Sequence, residues 1–175
     1  EEPPEKTIFL FITHAPEKVL QTIFSRCQSV RVLPLTKEEA ELVKARKPEE
    51  DREEYNRFSD LFADLMNAIV SRNLMAALDC SEQMSALESR EKQKAFCTFA
   101  SECIRKIYMI QQNLPQIAQV SQEEQEFYSR MAACCGKSFC HRTVTNIEEV
   151  VAMIDRNVSS KILFCDLVNR MFLSL

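Results

Sequence analysis

The stretch Tyr55-Asn-Arg-Phe-Ser-Asp-Leu-Phe-Ala-Asp-Leu-Met-Asn-Ala-Ile69 places Tyr55, Phe58, Leu61, Phe62, Leu65, Met66 and Ile69 at three- and four-residue steps. That spacing matches the 3.6-residue turn of an α-helix and gathers the apolar side chains on one stripe. A helix with one apolar stripe has to bury it, so the segment predicts a helix packed against other helices. The sequence downstream keeps the same period. Leu74 to Leu87 reads as a shorter helix introduced by Asn73, and Phe96, Phe99, Cys103, Ile107 and Ile110 mark a long one. The long helix should stop at Asn113-Leu114-Pro115, because the residue before a proline is pushed out of helical geometry.

Ser121-Gln-Glu-Glu124 has the form of a capping box, in which the Ser hydroxyl and the Glu carboxylate each satisfy a first-turn amide. The helix it opens is expected to close at Gly136 in a left-handed cap. Thr145-Asn-Ile-Glu148 has the same form and is expected to start the longest helix. Along that run Ile147, Val151, Ile154, Val158, Phe164 or Cys165, Val168, Phe172 and Leu175 line one side. Leu163, Leu167 and Met171 fall on another face, so the last turns need cover from neighbouring helices or from another subunit.

Upstream the pattern changes. Thr36-Lys-Glu-Glu39 is a further capping box that starts a helix to about Lys47, and Pro48 interrupts it. Lys44 to Glu54 is dense in charge, and its acidic end, Glu49 to Glu54, suits a solvated helix start favoured by the helix dipole. A domain boundary is placed near residue 48. Before it, Thr7-Ile-Phe-Leu-Phe-Ile12 is an uninterrupted apolar run, as expected of a strand buried on both faces of a parallel sheet. Val30 to Leu35 is a second short run, and Pro16 to about Phe24 reads as a helix between them. Two strands and one helix cannot cover both faces of such a sheet, so residues 1–35 are expected to be a truncated α/β remnant. The fold class predicted is mainly α: a helical bundle preceded by that remnant.

Composition narrows the functions. One glycine, Gly136, in 175 residues cannot supply the tight turns of a hairpin-rich β protein, nor a Gly-rich phosphate loop. The net charge of −4 and pI of about 5.4 give no broad basic field, so direct DNA binding is not expected and the partners implied are proteins. No apolar run approaches the roughly 20 residues of a membrane span, and a cytoplasmic location is expected. The eight cysteines fall among apolar neighbours at helical positions, as reduced core thiols do.

Three other sites can be weighed on residue chemistry. Cys134-Cys135 with Cys140-His141 has metal-binding content, but adjacent cysteines at a helix end point about 100° apart and do not converge on one ion. No metal site is predicted. A Cys–His nucleophile would need a base and an oxyanion site, and neither His14 nor His141 stands near a Gly-rich turn. The Phe- and Met-bearing stripes read as core, not as a ligand pocket.

The first residues, Glu1-Glu-Pro-Pro-Glu-Lys-Thr-Ile-Phe-Leu-Phe-Ile-Thr13 followed by Pro16-Glu-Lys-Val-Leu-Gln-Thr-Ile-Phe-Ser-Arg-Cys-Gln28, resemble the end of the AAA+ ATPase module of bacterial DNA polymerase III clamp loaders, the delta-prime group in particular. In that family a Glu-Glu-Pro-Pro sequence leads to a buried sensor strand, and a turn then carries Ser-Arg-Cys. The resemblance covers residues 1–36 closely. The helical remainder is similar to the family's carboxy-terminal collar only loosely, through Asn157, Lys161 and the apolar tail from Ile162 to Leu175.

The resemblance implies a division into the end of an ATPase module (residues 1–36), a shortened lid or linker helix (37–47) and a collar domain (48–175). It implies that Arg26, with Ser25 and Cys27 beside it, acts in trans as an arginine finger on ATP bound by a neighbouring subunit. A guanidinium suits that role because it is always charged and forks onto phosphate oxygens. Thr13 falls at the sensor position, although His14 stands where the family has a small polar residue. The implied partners are the motor and delta subunits, contacted through Leu163, Leu167, Met171 and Phe172, with the sliding clamp and DNA reached through the assembled loader. No cofactor and no catalytic residue is expected in this chain itself, since the phosphate loop and metal-binding strand of the family are not found in it. The competing expectation is a free-standing helical adaptor that uses its apolar last helix.

Overall fold

In the computed structural model, residues 7–13, 16–32, 49–118 and 120–175 are described. The chain divides into two units, Glu1–Arg46 and Lys47–Leu175. Among the described residues the fold is mainly helical, with eight α-helices and no strand.

In the first unit a 3-10 turn, Pro16–Lys18, is followed by a single α-turn, α1 (Gln21–Phe24). The predicted helix over these residues is thus broken at Val19-Leu20. The strand predicted over 7–12 does not form: residues 7–13 carry no regular structure, and Ile8, Leu10 and Ile12 are 84%, 87% and 92% exposed. A doubly buried strand exists only where neighbouring strands supply its ladder hydrogen bonds, and no ladder forms among the described residues. Val30 and Val32 are exposed and irregular too, whereas residues 33–35 and the helix expected from Thr36 to Lys47 lie outside the described residues.

The second unit contains α2 (Glu49–Val70), α3 (Leu74–Ser85), α4 (Arg90–Gln111), the short α5 (Pro115–Ala118), α6 (Gln122–Cys134), α7 (Lys137–Asp155) and α8 (Ser160–Ser174). The helix starts are set locally. Asn73 accepts from the Ala76 amide, Ser89 from the Lys92 amide, and Ser121 with Glu124 forms the predicted capping box. Packing runs α2 on α3, α3 on α8, α8 on α7, α7 on α4 and α4 back on α2, which closes five long helices around one core. Helices α5 and α6 pack against α4, and α6 also meets α2.

Three helices end in the same way. Arg72, Asn113 and Asn157 have φ values of 56°, 58° and 63°. After each, the next amide reaches back five residues: Asn73 to the Ala68 carbonyl, Leu114 to Met109 and Val158 to Met153, at 2.9, 3.0 and 3.2 Å. These are Schellman caps, in which a left-handed residue lets two amides satisfy the last free carbonyls. With a single glycine in the chain, asparagine takes the position at two of them, because its short polar side chain tolerates the left-handed region best after glycine.

This geometry corrects two expectations. Gly136 is not a left-handed cap: its φ of −77° and ψ of 156° place it as the extended N-cap of α7, while Cys135 ends α6. Thr145 does not open a helix. It sits inside α7, where its hydroxyl donates to the His141 carbonyl at 3.2 Å, a bond available only once the preceding turn is helical. The apolar run from Ile147 to Leu175 is therefore two helices, α7 and α8, reversed at Asn157.

The core is aromatic on one side and aliphatic on the other. Phe58 meets Phe96 edge-on at 5.5 Å between ring centroids, and Phe62 meets Phe99 and Phe127 at 6.3 and 6.4 Å. Met66, Ile69, Met84, Ile104, Ile107 and Phe164 are fully buried. Each side chain of this kind contributes on the order of 1.5–3 kcal/mol through the apolar area removed from water. Surface pairs such as Lys94–Asp155 (3.0 Å) and Lys161–Glu82 (3.1 Å) are exposed and add little by comparison.

Two substitutions separate these effects. Phe96→Ala should cost about 3–5 kcal/mol in urea unfolding, since it empties a site closed by α2 and α4. Asn113→Gly should instead raise stability by about 0.5–1 kcal/mol, because glycine relieves the left-handed backbone, and Asn113→Val should lower it by about 1 kcal/mol. Equal stability of the glycine and valine variants would contradict the capping role.

Candidate functional site

Arg26 lies in the turn that ends α1. The turn is held by short-range backbone bonds: the amides of Ser25, Arg26 and Cys27 donate to the carbonyls of Gln21, Ile23 and Phe24 at 2.9, 3.0 and 3.3 Å. The Ser25 hydroxyl adds a contact to the Thr22 carbonyl at 3.4 Å. Ser25, Arg26 and Cys27 are all exposed, so the guanidinium is displayed on a tight turn whose backbone is satisfied locally. Thr13 is exposed as well, in the irregular segment before the 3-10 turn.

The last helix divides by face. Leu163, Leu167 and Met171 are 5%, 3% and 1% exposed and belong to the bundle core, as do Phe164 and Val168. The apolar residues that α8 leaves on the surface are Ile162 and Leu173. Phe172 is half-buried: the Arg72 guanidinium lies 5.5 Å from its ring centre and donates to its carbonyl at 2.7 Å. Of the four residues expected to meet another subunit, three are thus covered by the chain's own α3 and α7, because both apolar faces of α8 find partners within the ring.

All eight cysteines are free. Cys80, Cys97, Cys103, Cys135 and Cys140 are buried, Cys165 is half-buried, and Cys27 and Cys134 are exposed. Burial pushes the Cys97 and Cys135 thiols up to about 12 and those of Cys103 and Cys140 up to about 11. These thiols stay protonated at neutral pH, which removes them as nucleophiles, since attack needs the thiolate. Their contacts are structural. Cys103 accepts from the Tyr128 hydroxyl at 3.1 Å, and Gln111 joins α4 to the α6–α7 turn by donating to the carbonyls of Ala132 and Cys135. Cys134 is exposed while its neighbour Cys135 is buried, so the pair diverges, and no group of three potential metal ligands converges among the described residues.

One feature is legible only in the fold. Helices α4 and α7 run antiparallel, as the contacts of Lys94 with Asp155 and of Gln111 with Cys135 show. Their facing surfaces leave a groove of about 410 Å³ lined by Arg105, Tyr108, Lys137 and His141. Arg105 and Tyr108 are three residues apart and Lys137 and His141 four apart, so each pair shares a helix face, but only the packing joins the two pairs.

Comparison with known proteins bears on the first residues. Residues 1–36 match the family model described as DNA polymerase III, delta subunit. The chain is similar to that family over this segment, which holds Ser25, Arg26 and Cys27. No curated protein and no solved structure matches the chain. Among the described residues no helix is long and apolar enough to cross a membrane.

The buried thiols carry a pH signature. Their folded values lie above the ordinary value of 9.0, so the folded state favours the protonated form and the unfolded chain ionises first. Stability should be unaffected by these groups below about pH 9 and fall as pH rises from about 9 towards 12. Cys97→Val, which keeps the volume and removes the proton, should flatten that slope in urea titrations at successive pH values. An unchanged slope would show that Cys97 does not contribute.

Proposed function

We propose that this chain is the carboxy-terminal part of a clamp-loader subunit of the delta-prime kind, acting by assembly and not by catalysis. The observation that carries the reading is the family match over residues 1–36, which includes an exposed turn bearing Ser25-Arg26-Cys27 whose backbone is hydrogen-bonded locally. In this role Arg26 reaches the ATP bound by an adjacent motor subunit and forks onto its phosphate oxygens as charge accumulates there. Thr13 sits at the sensor position of the same module.

Residues 48–175 then serve as the collar that holds the subunit among its motor and delta neighbours. With Leu163, Leu167 and Met171 enclosed, the side chains offered to those neighbours on α8 are Ile162, Leu173 and the half-exposed Phe172. The chain supplies no ATP-hydrolysing site of its own in this scheme; that ATP belongs to the neighbouring subunits, and the sliding clamp is met through the assembled loader.

Two measurements test the reading. Arg26→Ala in the full-length subunit should lower clamp-stimulated ATP turnover by 10-fold or more while the loader still assembles; unchanged turnover removes the finger role. The full-length subunit should co-elute with the motor subunits in size-exclusion chromatography. Failure to co-elute would favour a free-standing helical adaptor, in which the first 36 residues play no part in function.

A further inference from the structure

The groove between α4 and α7 has the chemistry of a ligand site although the protein as a whole is acidic. Its floor is apolar: Ile104 is fully buried and Cys140 is 2% exposed. Its walls carry Arg105, Lys137 and His141, all exposed, with the ring of Tyr108 41% exposed between them. No carboxylate lines this groove. Among the described residues the ion pairs lie elsewhere, on Arg57, Lys92, Lys94, Lys161 and Arg170, and none engages Arg105 or Lys137. Lys137 donates to the neutral amide oxygen of Gln112 at 3.3 Å, a contact that leaves its charge uncompensated. A cleft lined by one sign of charge over a low-dielectric floor concentrates the field at its mouth and draws counter-ions of the opposite sign.

The groove continues. A second depression of about 500 Å³ shares His141 and is lined further by Arg142, Thr145, Asn146 and Arg170. Arg170 is engaged by Glu149 and Asp166, whereas Arg142 enters no ion pair among the described residues. Among the described residues the uncompensated positive charge therefore centres on Arg105, Lys137 and Arg142, beside His141 and one exposed aromatic ring.

We infer that this groove binds a nucleotide unit, with the phosphate on Arg105 and Lys137 and the base against Tyr108. The volume suits a single small ligand, since pockets for such molecules run from about 300 to 1,000 Å³. Guanidinium and ammonium donors match phosphate oxygens, and a tyrosine ring gives a base a face to stack on. The unit can arrive as a free mononucleotide or as the phosphorylated end of a single DNA strand. The inference stands on the α4–α7 groove and does not depend on the clamp-loader reading of residues 1–36.

The test titrates the 175-residue chain with inorganic phosphate, with AMP and with thymidine oligonucleotides bearing a 5′-phosphate or a 5′-hydroxyl, followed by calorimetry. AMP should bind saturably and at least 10-fold more tightly than inorganic phosphate. The exposed substitutions Arg105→Gln with Lys137→Gln should weaken AMP 10-fold or more with the circular dichroism spectrum and melting temperature unchanged. Arg57→Gln, on the distant α2, should leave binding unchanged. Preference for the 5′-phosphorylated oligonucleotide over the 5′-hydroxyl one identifies a strand end as the source; binding of AMP without that preference identifies the free nucleotide. Absence of saturable AMP binding, AMP no tighter than phosphate, or full binding by the double variant would each overturn the inference.

Discussion

The structure of residues 47–175 depends on the burial of α4. Phe96, Cys97, Ala100, Cys103, Ile104 and Ile107 are all enclosed, and α4 is the helix that touches both sides of the ring as well as α5 and α6. An apolar surface that wide on one helix cannot be satisfied by a single neighbour. It requires α7 on one side, α6 on another and α2 at its N-terminal half, where the Phe58–Phe96 contact lies. The remaining helices then close around it, and the antiparallel course of α4 and α7 creates the groove lined by Arg105, Tyr108, Lys137 and His141.

Much of this is written in the local sequence. The stripe from Tyr55 to Ile69 gives α2 its inward face, and Phe58, Leu61, Phe62, Leu65, Met66 and Ile69 are all buried. Asn73 and Ser121 announce helix starts because a side-chain cap is a contact between near neighbours and needs no tertiary context. The reversal at Asn157 is harder to see. Apolar residues continue at helical spacing across it, and the only local sign is an asparagine whose left-handed backbone is decided by the packing of α8 against α7. Thr145 misleads for a related reason: the Thr-x-x-Glu pattern is compatible both with a helix start and with a helix interior, and the turn before it, begun at Gly136, decides which.

What a face is buried against is not a local property. The two apolar sides of α8 are plain in the sequence, but whether α3 and α7 or another subunit covers Leu163, Leu167 and Met171 follows only from ring closure. The same holds for the run from Ile8 to Ile12, whose composition suits a sheet interior while the side chains are exposed. A strand is a relation between segments, so composition alone does not make one. The match to the polymerase III delta-subunit family falls in that same part of the chain, residues 1–36, which includes the exposed turn of Arg26.

The central claim is that the bundle from Lys47 to Leu175 carries a complete core of its own, organised on α4. The direct measurement is thermal unfolding of residues 47–175 alone, followed by circular dichroism beside the whole chain. One cooperative transition is expected, with a midpoint within about 2 °C of that of the 175-residue protein, a shift smaller than the loss of about 1 kcal/mol would produce. Loss of helicity, or a broad transition without a midpoint, would contradict it.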